Sequence, residues 1–175
     1  MKRRQFVKEA ALLSAAAAVA SRGVLAAEEE ISARRIPRWR GFNIQPRFGR
    51  PGRPYDGPAF EEADFEMMAE WGFDFARLPL WYWTWSSRDD WTVIREEPLK
   101  KLDQALDLGL QYGVHININF HRIPGYCING REMEPADLFS DRQEARGRAL
   151  DAAVLHWKTF AERYKGVPKE RLSFD

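Results

Sequence analysis

Between Val114 and His121 polar and apolar side chains alternate without a break. Successive side chains of a strand point to opposite faces. His115, Asn117, Asn119 and His121 therefore share one face, and Ile116, Ile118 and Phe120 share the other. A strand covered by helices on both faces of an open sheet is apolar on both. A barrel strand packs one face on helices and turns the other to the lumen, where polar residues near the strand C-terminus carry the chemistry. This one segment thus favours a barrel over a doubly wound sheet.

The rest of the chain supplies the repeat that such a barrel needs. Arg40 to Ile44 reads as a short strand, followed by a Gly- and Pro-rich loop from Pro46 to Gly57. Pro58 suits a first helical turn. Phe60 to Trp71 has helical spacing, with Phe65, Met68 and Ala69 on one side, and Gly72 stops it. Phe73 to Leu80 is the second strand. Pro98 opens a helix whose Leu99, Leu102, Leu106 and Leu110 recur at the helical period, and Gly109 and Gly113 punctuate its end. A loop from Arg122 to Phe139 follows the third strand. Ser140-Asp141-Arg142-Gln143 reads as a capping box. It opens a helix with Leu150, Ala153, Val154, Trp157, Phe160, Ala161 and Tyr164 on its buried face, which Gly166 and Pro168 stop. Leu172 to Asp175 is a fourth strand. Alternation of this kind specifies an α/β protein with a parallel sheet. The expected fold is the first three to three-and-a-half strand–helix units of a (β/α)8 TIM barrel, a truncated one, since a complete barrel takes about 250 residues. No Gly-x-Gly-x-x-Gly follows the first strand, and no lysine-bearing phosphate loop appears.

The N-terminus has its own logic. Lys2, Arg3, Arg4 and Lys8 precede an alanine-rich apolar stretch from Ala10 to Ala20, and Val24-Leu25-Ala26-Ala27 offers small residues for cleavage. That order makes residues 1–26 a signal peptide, and Arg-Arg-x-Phe-x-Lys resembles the bacterial twin-arginine signal. Residues 27–38 read as a linker and residues 39–175 as the barrel portion. The expected location is periplasmic or extracellular, reached through an export machinery. The whole chain has 27 Lys and Arg against 26 Asp and Glu. The leader takes away five bases and one acid, which leaves 22 against 25. This balance gives no footprint for a nucleic acid. No stretch suits a membrane span once the leader is gone. Cys127 is the one cysteine, so neither a disulfide framework nor a multi-cysteine metal site is available.

The candidate chemistry sits where strands end. The first strand ends in Asn43. The second delivers Arg77, an arginine amid apolar residues that calls for a carboxylate partner. The third delivers Asn119 and His121, followed by Pro124-Gly125-Tyr126. Four tryptophans, Trp81, Trp83, Trp85 and Trp91, crowd the loop after the second strand. Flat aromatic faces stack on sugar rings, so this cluster reads as a binding surface. His115 and His121 lie about 20 Å apart along a strand and cannot share one ion, so no metal site is expected. Nothing calls for a cofactor. His156, beside Trp157, reads as a surface residue, and Glu132 and Glu134 as solvated loop residues.

Three motifs taken together resemble glycoside hydrolase family 5, the cellulase and β-mannanase family of retaining glycosidases. They are Gly41-Phe42-Asn43-Ile44, Gly72-Phe73-Asp74-Phe75-Ala76-Arg77-Leu78-Pro79 and Asn119-Phe120-His121-Arg122-Ile123-Pro124-Gly125. The approach Tyr164 to Pro168 and the strand Leu172 to Asp175 are similar to that family's fourth strand. The resemblance implies that Arg77 holds the nucleophilic glutamate and that His121 lines the subsite of the scissile sugar. Asn119 joins them as active-site support. Asn43, Trp83, Trp85 and Tyr126 fall where the family binds substrate. The family's acid lies in an Asn-Glu-Pro motif beyond its fourth strand and its nucleophile on the seventh, so neither is expected within this sequence. The expected function is hydrolysis of O-glycosidic bonds in a β-linked polysaccharide or oligosaccharide. The chain itself would be an inactive fragment, the alternative being a non-catalytic carbohydrate-binding protein or pseudogene product.

Fusing residues 1–30 to a reporter exported only when folded tests the leader. Changing Arg3 and Arg4 together to lysine should trap the reporter inside the cell; continued export of the double variant refutes the twin-arginine reading.

Overall fold

The computed structural model describes residues 35, 37–45, 59–127 and 138–175. The leader, nearly all of the linker, the loop from Pro46 to Pro58, Asn129-Gly130, Glu132 and Glu134 lie outside the described residues. The chain divides between Pro37 and Arg38, and the elements below belong to Arg38–Asp175.

Five strands, β1 (Gly41–Asn43), β2 (Phe75–Trp81), β3 (His115–Ile123), β4 (Tyr126–Cys127) and β5 (Leu172–Phe174), form one sheet. Three helices, α1 (Glu62–Glu70), α2 (Glu96–Tyr112) and α3 (Gln143–Tyr164), connect the parallel strands. β1, β2, β3 and β5 run parallel in that spatial order. β2 lines one edge of β3 from His115 to Arg122. The other edge is shared between β5, opposite Ile116–Ile118, and β4, opposite Arg122–Ile123. The third strand therefore runs past His121 and folds back through Pro124-Gly125, with Gly125 at a φ of 78° that suits glycine.

The register sets side chains in rows across the sheet. Asn43, Arg77, Asn117 and Ser173 stand side by side. Gly41, Phe75 and His115 form the row toward the strand N-termini, and Pro79 and Asn119 the row toward their C-termini. The opposite face carries Ala76, Leu78, Leu80, Ile116, Ile118 and Leu172, all buried in one apolar core beneath the helices. Trp85, Phe120, Phe160 and Trp157 meet there, with ring centroids 4.9 Å apart for Trp85–Phe160 and 4.0 Å for Phe120–Trp157.

Each helix follows local chemistry, with three departures from the sequence reading. α1 buries Phe65 and Met68, and Gly72 (φ 77°) ends its last turn. α2 carries Glu96 and Glu97 in its first turn, where they complement the helix dipole. Pro98 lies in the same turn, where its missing N–H has no intrahelical partner to lose. Gly113 (φ 70°) caps the far end. The buried stripe of α2 runs through Leu99, Leu102, Ala105 and Leu108, and Leu110 is exposed. α3 begins at Gln143, not at a Ser140 capping box. The Ser140 Oγ accepts the Arg142 N–H at 3.2 Å in a local turn ahead of the helix. Its buried face is Ala145, Ala149, Ala152, Ala153, His156, Phe160 and Tyr164, while Leu150 and Val154 are exposed. The alanines allow close approach of the backbone, so the face is rotated from the one that side-chain size suggests.

α2 and α3 are tied through ions. Arg163 forks onto Glu96 at 2.8 and 2.9 Å and also bonds both oxygens of Asp103, which accepts from the Tyr164 hydroxyl at 3.1 Å. Both carboxyls are held below their ordinary pKa by Arg163, against the opposing desolvation that weighs most on Asp103. Burial, with Asp103 alongside, pushes the Tyr164 phenol up.

Two glycines test the packing in opposite directions. A Cβ at Gly41 would overlap the Phe75 carbonyl on the neighbouring strand, whereas one at Gly147 of α3 meets nothing within 4 Å. Gly41→Ala should destabilise by about 1 to 3 kcal/mol, and Gly147→Ala should stabilise by about 0.5 to 1 kcal/mol through helix propensity. Thermal melts of the two variants should move in opposite directions.

Candidate functional site

At the C-terminal ends of the parallel strands, on the face away from the helices, four side chains gather from three strands. β2 contributes Arg77, β3 contributes Asn119 and His121, and Asp175 follows β5. The Arg77 Nε donates to the Asp175 Oδ2 at 2.8 Å. This ion pair supplies the carboxylate that an arginine among apolar neighbours requires. Asp175 is also fixed through its backbone. Its N–H donates to the Ile118 carbonyl and its carbonyl accepts the Phe120 N–H, each at 3.0 Å, while the Asn119 Nδ2 donates to the same carbonyl at 3.1 Å. His121 is half-buried beside them. Burial lowers its pKa, the charges of Arg77 and Arg122 lower it further, and Asp175 opposes them. A neutral imidazole at this place offers one donor and one acceptor. Asn43 is exposed, across the β1–β2 ladder from Arg77.

The same face is structural toward the strand N-termini. The His115 Nδ1 lies 3.0 Å from the Glu170 carbonyl, which can only accept, so Nδ1 carries the proton. Nε2 then accepts from the Ser173 hydroxyl at 2.8 Å, and that oxygen in turn accepts the Asn117 Nδ2–H at 3.0 Å. Trp39 stacks on the His115 ring at 3.9 Å and closes this end. Burial holds the His115 pKa down. Among the described residues no three His, Cys, Asp or Glu side chains gather where an ion could sit.

The tryptophan-rich loop departs from the sequence reading. Trp85 is 0% exposed and belongs to the core, so it presents no face to a sugar. His156 is 0% exposed as well, not a surface residue. The two are partners. The Trp85 Nε1–H donates to the His156 Nδ1 at 3.1 Å, and Nε2 lies 2.7 Å from the Trp91 carbonyl. An indole only donates and a carbonyl only accepts, so the proton of neutral His156 sits on Nε2. One imidazole thereby ties together two points, Trp85 and Trp91, of the loop that follows β2. No local sequence signal marks this pair, because its members are separated by 71 residues.

Trp83 is half-buried, with the Arg88 guanidinium 4.7 Å and the Arg122 guanidinium 5.3 Å from its ring centroid. Arg122, which sequence reasoning passed over, is 4% exposed and lies 4.6 Å from the Trp81 ring as well. The irregularity between Leu80 and Trp81 sets Trp81 opposite Arg122. Tyr126 remains on the surface and meets the exposed Phe139 edge to face at 5.9 Å. Phe139 is the second aromatic of that patch.

A protein-family model described as Cellulase (glycosyl hydrolase family 5) matches residues 26–175. Endoglucanase C of Acetivibrio thermocellus is 30% identical over 114 residues, covering 65% of this chain and 31% of its own. A solved structure of a glycoside hydrolase superposes with a TM-score of 0.66 at 35% identity, covering 77% of this chain and 39% of its own. Thermotoga maritima Cel5A, solved as a mutant form in complex with cellobiose substrate, superposes with a TM-score of 0.52 at 25% identity, covering 77% and 38%. The chain spans about a third of the length of the curated relatives it matches. The likeness makes the parallel strands and helices part of a (β/α)8 barrel.

Burial holds the His156 pKa below its ordinary value, against the Trp91 carbonyl bond. The unfolded chain then takes up the proton first. Stability should be full above about pH 6.5 and fall as the pH drops from there toward the depressed folded value. Calorimetric melts between about pH 7.5 and pH 5 check this. His156→Gln, which cannot titrate, should reduce the slope to the part that His115 and His121 contribute, at some cost in melting temperature.

Proposed function

The chain belongs to glycosyl hydrolase family 5, and from that premise we propose that it carries one wall of the sugar-binding cleft of a cellulase-type hydrolase acting on β-linked glucan. The observation that carries this reading is the gathering of Arg77, Asn119, His121 and Asp175 on the lumen side, at the C-terminal ends of parallel strands. Support comes from an endoglucanase among its relatives and a cellobiose complex among its structural neighbours. In this reading the neutral His121 imidazole exchanges hydrogen bonds with sugar hydroxyls. Arg77 orders the carboxylates that surround the scissile bond, with Asp175 as the one it holds here. Tyr126 and Phe139 form an apolar platform beyond the end of β3. The leader reading adds export of the folded protein to where such polymers lie.

Retaining hydrolysis places two carboxylates about 5 Å apart, one giving a proton to the leaving oxygen and the other forming the glycosyl intermediate. Of the strand residues and Asp175 on the lumen side, Asp175 is the one acid, and it is tied to Arg77. Arginine has no basic form at neutral pH, and a histidine that gives a proton still leaves the nucleophile unsupplied. The 175-residue chain should therefore bind without turnover.

Two measurements test this reading. Reducing-sugar release from soluble cellulose or β-mannan should stay at the level of buffer, and real turnover overturns the assignment of roles. Cellotetraose should bind, and His121→Ala should weaken it by about tenfold, as loss of its hydrogen bonds to the sugar implies. Binding unchanged in that variant removes His121 from the cleft.

A further inference from the structure

We propose that the groove between the β2–α2 loop and α3 is a second binding site, taking a neutral β-linked oligosaccharide outside the cleft described above. The ligand class rests on the family reading; the place and charge of the site rest on the groove itself. Its volume is about 690 Å³, and its polar lining is Arg88, Asp89 and Thr92 from the loop and Arg148 and Asp151 from α3. Trp91 forms the aromatic wall. That volume falls within the range of small-molecule sites, roughly 300 to 1,000 Å³.

Two guanidiniums and two carboxylates cancel in charge. A phosphate or polyanion would meet both carboxylates, and a polycation both arginines. A polyhydroxylated neutral ligand is served by groups of both signs. Guanidinium forks donate to hydroxyl oxygens, carboxylates accept from hydroxyl hydrogens, and the indole covers an apolar ring face.

The site is also built in advance of any ligand. His156 holds the Trp91 carbonyl at 2.7 Å. The Asp90 carboxylate accepts the Thr92 N–H at 3.0 Å and its hydroxyl at 2.6 Å. The Arg95 Nη2 donates to the carbonyls of Trp83, Thr84 and Ser86 at 2.8, 2.9 and 3.1 Å. A loop fixed at this many points has little freedom left to lose on binding, which is where rigid sites gain affinity. Arg88, with its guanidinium over Trp83, joins the groove to the aromatic rim beside β3.

Affinity electrophoresis of the full chain in gels containing soluble mixed-linkage β-glucan tests the site, backed by titration with cellohexaose. Arg148→Ala and Asp151→Ala, both exposed on α3, should each weaken the groove component of binding about tenfold with unchanged melting temperature. His121→Ala should leave this component in place. Groove variants that bind like the unmodified chain, with loss in His121→Ala, overturn this inference and keep the cleft reading. Absence of retardation in the unmodified chain overturns both. Tighter binding of dextran sulfate than of the neutral glucan overturns the neutral-ligand assignment.

Discussion

A buried row of polar side chains on β3 governs the arrangement of its neighbours. His115, Asn117 and Asn119 are 2, 7 and 6% exposed, so each has left water and must find partners in the protein. β2 presents Phe75 and Pro79 opposite two of them and cannot satisfy them there. The partners of the two amide nitrogens and of the imidazole come from the other edge, while the buried Asn117 and Asn119 Oδ1 atoms bond none of the described residues. Ser173 serves His115 and Asn117, the Asp175 carbonyl serves Asn119, and Glu170 serves the second nitrogen of His115. A neutral hydrogen bond contributes about 1 kcal/mol net, and an unmet buried group costs about 1 to 3 kcal/mol. The placement of β5 is thus fixed as much by this polar ladder as by apolar burial of Leu172.

That row explains why the sheet was legible from the sequence. Alternation along His115 to His121 fixes both the strand and which side faces the helices, because register slips by one residue would invert every contact. Gly72 and Gly113, at φ values of 77° and 70°, stop their helices where the chain order requires it. The ion-pair requirement of Arg77 was equally readable, although its partner in the structure lies 98 residues away.

What the sequence concealed depends on contacts between distant segments. Trp85 and Trp83 lie two residues apart in one aromatic run. Yet the first is core, while the second is half-buried under arginines. The difference is made by α3, which sets Phe160 and His156 against Trp85. Side-chain size pointed to Leu150 and Val154 as the packed face of α3. Close approach of the helix through Ala145, Ala149 and Ala152 won instead, and it carried His156 inward to meet two polar partners. A buried histidine with both nitrogens occupied is a core residue, and only the folded register reveals it.

The loop after β2 follows from the same packing. Its inner side chains, Tyr82 and Trp85, are 0% exposed, and the His156 and Arg95 bonds tie its backbone down. Its outer side chains, Ser87, Arg88 and Asp89, are left to face outward or across to α3. A connecting segment of charged and hydroxyl residues would ordinarily be mobile, since loops lack apolar contacts to hold them. Here the aromatic underside and the His156 and Arg95 bonds remove that freedom from the loop backbone, which carries its polar side chains without a regular element of its own. A backbone already ordered beside an aromatic wall suits a weakly hydrophobic, hydroxyl-rich ligand, because less freedom is left to lose when each of its weak hydrogen bonds forms. The cost of ordering the loop is met by the core beneath it, which couples the stability of the fold to the shape of its polar surface.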